Sequence, residues 1–262
     1  FSIYFLSLCC LFIMESLKKP SLNIVLPVYN EALELSQSVT TLVSFLTTHM
    51  SSFNWRVTIA DNASTDDTTM IAKQLSKQFK AVSCIRLPTK GRGRAVKYVW
   101  THCDDAYVSY MDIDLSSDLK HFPPMVHALQ RGYDVAIGSR NAHGARVYGR
   151  SALRTFTSKM YIVLIKCFFW VNFSDAQCGF KAVTRHTVES LVSKVSDNEW
   201  FFDTELLILA EKTGRRIYEE PVTWIDNPGS TVRVLKTAMG DLKGLWRMFV
   251  TRPWKSISYG NY

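Results

Sequence analysis

The sequence predicts an α/β fold whose core is a doubly wound, mostly parallel sheet. Short apolar runs alternate with segments of helical periodicity, and this β-α-β-α order implies parallel strands joined by crossover helices. Charged motifs follow several predicted strands, and open α/β sheets bind ligands beyond the carboxyl ends of their strands. Of the 262 residues, 47% are hydrophobic and 21% are charged, which suits one large domain or one domain with a small appendage.

Four strands and three connecting helices are predicted in the first half of the chain. Apolar runs indicate strands at 22–28, 55–60, 82–87 and 106–111. Helical spacing indicates helices over about 31–49, 67–79 and 91–106, and Ser64–Asp67 supplies N-cap chemistry for the second helix. Pro123-Pro124 opens a further helix that ends near Gly132, and a fifth strand is expected at 135–138. The remainder departs from strict alternation.

The chain divides into three predicted segments: an apolar N-terminal segment (1–20), the main domain (21–234) and a basic amphipathic C-terminal segment (235–262). Residues 1–14 are almost wholly apolar, but a membrane-spanning helix needs about 20 such residues. The stretch also lacks the basic start of a signal peptide. It is the remnant of a longer anchor, a short interfacial helix, or sequence upstream of a true start at Met14. After an anchor, Lys18-Lys19 would lie on the cytosolic side.

Two apolar stretches indicate contact with a membrane surface. Residues 160–171 are strongly apolar with one lysine, which fits either a buried core helix or, as we favour, an interfacial helix. Residues 235–255 place apolar side chains at helical spacing with basic residues between them, as in a helix that lies on a membrane.

Charge and cysteine usage narrow the partners and the compartment. The formal net charge of +8 favours anionic partners, but the basic residues recur in short clusters rather than one long run. That distribution indicates phosphate contacts and a basic membrane-facing rim, with no nucleic acid as partner. The six cysteines have neither C-x-x-C nor zinc-ligand spacing, so we expect buried, reduced thiols in a cytosolic protein.

Asp112-Ile113-Asp114 directly follows the predicted strand at 106–111. Two carboxylates at the end of a buried strand suit a hard divalent cation such as Mg²⁺, which also keeps waters and substrate phosphates as ligands. A solvated turn is the alternative for an isolated Asp-x-Asp, so its interpretation depends on the neighbouring motifs.

Three further motifs also lie where predicted strands end. Pro27–Glu31 is either a turn with a helix start or part of a ligand site, and Asp61–Asp66 is either a capping box or a base-recognition segment. A carboxylate at Asp61 could accept from the N–H of a uracil or guanine ring. The glycines of Lys90-Gly91-Arg92-Gly93 would let the backbone approach a phosphate at a helix N-terminus.

In this order and spacing, the motifs at 27–31, 61–66 and 112–114 resemble glycosyltransferase family 2, over about residues 21–250. One departure is Ala63, where glycine is common. The resemblance implies the Rossmann-like GT-A fold and inverting transfer. The segments 137–140, 150–154, 175–181, 200–207 and 224–230 are similar to the polyprenyl- and dolichyl-phosphate hexosyltransferases, above all to their glucosyl branch.

The resemblance implies transfer of a hexose from a nucleotide sugar to a polyprenyl or dolichyl phosphate, at the cytoplasmic face of a membrane and with Mg²⁺ or Mn²⁺ as cofactor. UDP-glucose is the favoured donor. The alternatives are a polyprenyl-phosphate mannosyltransferase, a family 2 transferase with another acceptor, and a nucleotide-sugar-binding protein without turnover. The acceptor phosphate is already anionic near neutral pH, because its second pKa is about 6, so a general base is less necessary than for a sugar hydroxyl.

The resemblance also assigns roles to individual residues. The metal ligands are expected to be Asp112 and, for direct coordination, Asp114. The nucleotide sugar is expected to contact Pro27, Tyr29, Glu31, Asp61, Lys90, Asp112 and Gln177. The acceptor phosphate is expected to contact Arg140, Arg150, Arg154 and Lys181. The catalytic set is expected to comprise Asp112, Asp114, Asp203, Arg150 and Arg154, with Asp203 orienting the acceptor or contacting the metal.

Overall fold

A computed structural model describes residues 19–226 and 234–257 of the chain. The strands are β1 Ser21–Val28, β2 Asn54–Asn62, β3 Val82–Leu87, β4 Tyr107–Met111, β5 Val135–Ser139, β6 Arg146–Tyr148, β7 Phe180–Thr184, β8 Ile217–Pro221 and β9 Thr223–Ile225. Seven of them form one sheet in the order β3-β2-β1-β4-β7-β5-β8, and β6 pairs with β9 separately. The apolar segment 1–14 and the 227–230 part of the segment resembling the glucosyl branch lie outside the described residues.

The helices are α1 Leu35–His49, α2 Thr68–Gln78, α3 Arg92–Thr101, α4 Phe122–Gln130, α5 Ala152–Phe169, α6 Arg185–Ser190, α7 Phe202–Lys212 and α8 Val234–Thr251. The predicted strands and helices of the first half are therefore confirmed to within a few residues. The helix predicted over 91–106 ends early because the backbone N–H of His102 closes its last turn on Tyr98, and an irregular segment then leads into β4.

One strand breaks the parallel pattern and thereby shapes the site. β1 pairs in parallel with β2 and β4, and β2 pairs in parallel with β3. β7 runs antiparallel to both β4 and β5. Because β7 is reversed, the residues just before it reach the sheet edge where β1 to β4 end. Loops distant in sequence therefore meet at this edge.

The hydrophobic core lies on both faces of the sheet. One cluster contains buried side chains of α3, α5, α7 and α8, including Trp100, Ile165 and Met248. The other contains buried side chains of α1, α2 and α4, including Leu42 and Phe122. This layering confirms the doubly wound architecture. The division at 234/235 stays a prediction, although the helix that follows it contributes to the first cluster.

The described cysteines are free thiols, as expected, but they are not uniformly buried. Cys103 and Cys178 are buried, and Cys84 is half-buried. Cys167 is exposed, because it lies on α5 between the buried positions Ile165 and Phe169 and on the opposite side of the helix. The expectation of burial is therefore wrong for Cys167.

Candidate functional site

Loops after β1 and β2 are joined by hydrogen bonds that fix the first motif. The backbone N–H of Asn30 donates to Ser64 Oγ (3.0 Å), and the backbone N–H of Thr65 donates to Asn30 Oδ1 (2.8 Å). The backbone N–H of Glu31 donates to Thr68 Oγ1 (2.8 Å) at the start of α2. Asn30 adopts φ +57°, a left-handed conformation that asparagine tolerates better than most residues. These bonds hold Glu31 at the sheet edge.

Asp61 is fully buried, and both of its carboxylate oxygens accept hydrogen bonds from its own loop and helix. Oδ1 accepts from the backbone N–H of Ser64 (2.9 Å), and Oδ2 accepts from the hydroxyl of Thr69. The neighbouring Asn62 Oδ1 accepts from the backbone N–H of Gly91 (2.7 Å), which ties this loop to the start of α3. The structure thus gives Asp61 a structural role, and its contact with a base stays a prediction.

Tyr29 and Lys90, two of the predicted nucleotide-sugar ligands, meet at the rim of the site. Lys90 Nζ lies 3.2 Å from the centroid of the Tyr29 ring, a cation–π contact. Pro27, also predicted, lies within β1 beside Ala60 of β2. The exposed ammonium group of Lys90 is therefore held over an aromatic surface at the edge where β1 and β3 end.

Asp112, Asp114 and Glu31 make this part of the edge strongly acidic. Asp114 is exposed, and its carboxylate accepts from the backbone N–H (3.1 Å) and the hydroxyl (2.6 Å) of Ser116. Burial and the negative charges of Glu34, Asp114 and Asp112 together raise the pKa of Glu31 to about 7. Such mutual repulsion indicates a negative potential that a cation would relieve.

The donor set fits Mg²⁺ or Mn²⁺. Nowhere in the described ranges do three or more His, Cys, Asp or Glu side chains group so as to hold a metal ion. Mg²⁺ is commonly bound through one or two carboxylates, with waters and substrate phosphates as its remaining ligands. Asp112 and Asp114 provide two hard oxygen donors of this kind, so the site suits a cation that arrives with a diphosphate.

Arg92 connects the Asp-x-Asp motif to α7, a role that the sequence did not reveal. Its guanidinium donates to Asp112 Oδ1 (2.5 Å) and to Asp203 Oδ2 (2.8 Å). Asp203 Oδ1 accepts from the hydroxyl of Tyr110 and lies 3.2 Å from Lys181 Nζ. The two carboxylates hold the pKa of Arg92 well above its usual value, although burial opposes the shift. The partners of Arg92 lie 20 and 111 positions away, so sequence spacing gave no signal for them.

Gly179 allows the Asp112 carboxylate to occupy its place. A Cβ at position 179 would lie 1.7 Å from Asp112 Oδ2, far inside van der Waals contact. The backbone N–H of Asp112 also donates to the Gly179 carbonyl (3.1 Å). At the other end of the network, a Cβ at Gly93 would lie 2.5 Å from the Cβ of Phe202. Both glycines permit close approaches that any side chain would block.

Three of the four cations predicted to bind the acceptor phosphate already have carboxylate partners. Arg140 forms a bidentate ion pair with Asp175 (2.7 and 2.9 Å). Although burial opposes it, this pairing lowers the pKa of Asp175 to about 2. Arg154 pairs with Asp226 (2.7 Å). Lys181 is fully buried, and besides its contact with Asp203 it donates to the Cys178 carbonyl (2.6 Å).

Arg150 is the exception within the part of the chain that the structure describes. Its half-buried side chain forms no ion pair with any described carboxylate. Burial lowers the pKa of Arg150 and the positive charge of Arg140 lowers it further, whereas the charges of Asp175 and Asp226 act in the opposite direction. An Arg whose guanidinium forms no ion pair is available to bind an anion. The roles predicted for all four residues stay predictions.

Gln177, predicted to contact the nucleotide sugar, lies at the same edge, two residues before Gly179. Its Nε2 donates to Asp241 Oδ2 of α8 (2.7 Å). Helix α8 is fastened to α7 by Arg247, which binds both carboxylate oxygens of Glu205 (2.9 and 2.7 Å). The site is therefore completed by a helix outside the sheet.

Helices α5 and α8 each bury one stripe and expose another apolar stripe. Ile162, Ile165 and Phe169 of α5 and Leu245 and Met248 of α8 are buried. We define the α5/α8 apolar surface as the exposed residues Leu153, Phe156, Met160, Val163, Phe168, Trp170, Met239, Leu242, Trp246 and Val250. The rings of Phe168 and Phe249, 5.3 Å apart, join the two helices. Within the described ranges, no helix combines the length and apolar character needed to cross a bilayer.

The fold is shared with solved glycosyltransferase structures. Glucosyl-3-phosphoglycerate synthase from Mycobacterium tuberculosis, solved with Mn²⁺, UDP and phosphoglyceric acid, matches with a TM-score of 0.65 and 16% identity, over 89% of this chain and 78% of that one. The same enzyme was also solved with Mg²⁺ and UDP, and that structure matches with a TM-score of 0.62 and 16% identity, over 89% of this chain and 79% of that one. At this identity the likeness shows the fold alone, and it confirms the predicted GT-A architecture.

Sequence relatives extend over most of the chain. Glycosyltransferase AglD of Haloferax volcanii is 31% identical over 88% of this chain, which spans only 38% of that protein. Dolichyl-phosphate beta-glucosyltransferases of Saccharomyces cerevisiae and Drosophila melanogaster are 29% and 27% identical, over 80% and 94% of this chain and 68% and 80% of theirs. The family model for glycosyl transferase family 2 matches residues 23–192, well over half of the chain. The chain therefore belongs to glycosyl transferase family 2.

Proposed function

We propose that this chain transfers a hexose from a nucleotide sugar to dolichyl phosphate at a membrane surface, with UDP-glucose as the donor. The observation that carries the proposal is the joint presence of the acidic Asp112/Asp114 site and of Arg150, which lacks a described anionic partner, with the exposed α5/α8 apolar surface. A diphosphate–metal site, a phosphate-binding cation and a lipid-compatible surface are the three elements that this reaction needs.

The relatives and fold neighbours support the choice of substrates. Several relatives are named dolichyl-phosphate beta-glucosyltransferases. Among the fold neighbours, glucosyl-3-phosphoglycerate synthase was solved with Mn²⁺ and UDP-glucose. We extend UDP-glucose and dolichyl phosphate to this chain on that basis.

Asp114 and Asp112 would hold the divalent cation. When bound, Mg²⁺ or Mn²⁺ supplies Lewis-acid stabilisation to the negative charge that develops on the leaving diphosphate. The chain's own contribution is placement. Arg92 and Gly179 fix the Asp112 carboxylate, while Asp114 stays exposed toward the ligand.

The acceptor needs positioning more than proton abstraction. A phosphate monoester is largely dianionic above its second pKa of about 6, so its oxygen is already a nucleophile. Asp203 uses both oxygens to hold Arg92, Tyr110 and Lys181, which makes it a positioning residue rather than a general base. We assign the first contact with the acceptor phosphate to Arg150, whose planar guanidinium can bind two phosphate oxygens at once.

We place the α5/α8 apolar surface on the membrane. The exposed lysines Lys159 and Lys243 lie on the same two helices, as expected for a surface that rests on phospholipid headgroups. The free thiols support a reducing compartment, so we place the chain at the cytoplasmic face.

The test is transfer of labelled sugar by the purified chain to dolichyl phosphate, with UDP-glucose or GDP-mannose and with Mg²⁺, Mn²⁺ or EDTA. The expected result is a labelled lipid from UDP-glucose that disappears with EDTA. Product from GDP-mannose alone would refute UDP-glucose as the donor. The absence of lipid product from every donor would refute hexose transfer to dolichyl phosphate. Arg150→Met should raise the KM for dolichyl phosphate more than the KM for UDP-glucose.

A further inference from the structure

Asp241 is a buried carboxyl group whose hydrogen bonding is incomplete. Its side chain is 5% exposed, and it lies on α8 among buried positions. Oδ2 accepts from Gln177 Nε2 at 2.7 Å, whereas Oδ1 is buried and has no hydrogen-bond partner among the described residues. Buried polar atoms in proteins nearly always have partners, so an oxygen left without one calls for an explanation.

The carboxylates near Asp241 disfavour its ionised form. Burial and the charges of Asp197 and Asp203 together raise the pKa of Asp241 to about 7, although the hydrogen bond from Gln177 opposes the shift. The hydroxyl of Tyr161 lies near these carboxyl groups, but it is hydrogen-bonded to Thr204 Oγ1 (2.9 Å). Near pH 7 the free oxygen can therefore accept a hydrogen bond or carry a proton.

The packing of α8 against α7 fixes the position of Asp241. Asp241, Gly244 and Met248 share one helical face, and this face packs toward α7. A Cβ at Gly244 would lie 2.3 Å from the Phe201 ring, so the helix approaches the start of α7 closely. The Arg247–Glu205 ion pair holds the next turn. Asp241 is thereby fixed against Gln177, two residues before the glycine that contacts Asp112.

We propose that Asp241 is a specificity-determining residue: when the donor binds, one hydroxyl group of its hexose reaches the buried Oδ1 and becomes the partner that this oxygen lacks among the described residues, with Gln177 beside it. The inference rests on the proposed function, because it requires a hexose-bearing donor. A sugar hydroxyl both donates and accepts, so it matches a carboxyl group in either protonation state. Gln177 lies two residues before Gly179, which contacts Asp112, and the charge of Asp203, a partner of Arg92, acts on Asp241.

The test is calorimetric binding of UDP and UDP-glucose, with Mn²⁺ and without lipid, to the wild-type chain and to Asp241→Ala. We expect Asp241→Ala to weaken UDP-glucose binding about tenfold, the effect of one buried hydrogen bond, and to leave the Kd of UDP nearly unchanged. Asp241→Asn, which keeps the shape and hydrogen-bonding capacity, should recover part of the loss. The control is Asp104→Ala, which removes an exposed carboxyl group near the start of β4.

UDP-deoxyglucoses that lack the 2-, 3-, 4- or 6-hydroxyl identify the contact. One analogue should bind the wild-type chain about tenfold more weakly than UDP-glucose, and Asp241→Ala should bind that analogue and UDP-glucose equally. Two results would overturn the proposal. One is an equal loss of affinity for UDP and for UDP-glucose in Asp241→Ala, and the other is a wild-type chain that binds every deoxy analogue as tightly as UDP-glucose. Because no lipid is present, a failure to glucosylate dolichyl phosphate would count against the proposed function alone.

Discussion

The two sides of the site are built differently. On the side formed by the loops after β1, β2 and β3, backbone and side-chain hydrogen bonds join residues that lie 29 to 37 positions apart. On the side formed by α5 and α8, the outer face is apolar and exposed, while the inner face of α8 packs in the core and is joined to α7 by the Arg247–Glu205 ion pair. The sheet edge therefore fixes polar groups in place, whereas helices α5 and α8 leave apolar side chains exposed.

The largest effect is expected for a substitution of Arg92, which lies at the centre of the polar side of the site. Arg92→Met leaves Asp112 and Asp203 without their shared cation, and breaking a buried ion pair costs about 3–5 kcal/mol. Urea unfolding measures the loss. The matched control is Lys120→Met in the exposed pair with Asp118, where less than about 1 kcal/mol is expected. Similar losses in both variants would show that the Arg92 network is not a structural centre.

Gly179→Ala tests whether the polar side of the site needs the close approach of Asp112 to residue 179. The new methyl group would displace the Asp112 carboxylate, and a shift of about 1 Å at a reacting group can cost about a hundredfold in rate. We expect kcat to fall by about that factor, measured with saturating substrates. Gly240→Ala is the control, since no atom lies within 4 Å of its added Cβ. Unchanged kcat in Gly179→Ala would contradict the placement of Asp112.

Trp246→Ser tests whether the α5/α8 apolar surface binds a membrane. Trp246 is 66% exposed, and removing one large apolar side chain from a membrane contact costs about 2 kcal/mol, or roughly thirtyfold in vesicle affinity. Co-sedimentation with phosphatidylcholine vesicles measures the affinity. Met70→Ser, which changes an exposed residue of α2 on the other face of the sheet, should have no effect. Equal binding by wild type and Trp246→Ser would refute the membrane assignment of the α5/α8 apolar surface.

The smallest effect is expected on the pH dependence of folding stability, through Asp241, which joins α8 to Gln177 at the sheet edge. Its pKa is raised from 3.8 to about 7, so the folded state binds a proton that the unfolded state has already lost. Stability is therefore greatest at acidic pH and falls as the pH rises toward and through 7. We expect a loss of about 1 kcal/mol between pH 6 and pH 7.5 that is absent in Asp241→Asn. Glu31 titrates in a similar range, so the difference between the two proteins is the measurement. Parallel stability curves would contradict the shift.

The sequence predicted the first half of the fold because local patterns suffice there. Apolar runs and caps located β1 to β4, and the Asp-x-Asp motif fell at the end of β4 as expected. The antiparallel β7 was not predicted, because its direction depends on partners in β4 and β5 rather than on its own residues.

The polar network of the site was only partly predictable. Arg92 was noted for the glycines beside it, but its partners come from β4 and α7. The ion pairs of Arg140 and Arg154 with Asp175 and Asp226 were missed for the same reason. Asp241 did leave a signal, since it shares a helical face with the apolar Leu245 and Met248.

The attachment of α8 has a consequence for how such enzymes diverge. The groups proposed to hold the nucleotide lie on loops of the sheet, whereas Asp241 lies on α8, a helix outside the sheet that packs against α7. Under the proposed role of Asp241, substitutions at its position in α8 change the preferred sugar while the base preference is retained. Two relatives with the same strand-end motifs and different donors should differ first in this helix.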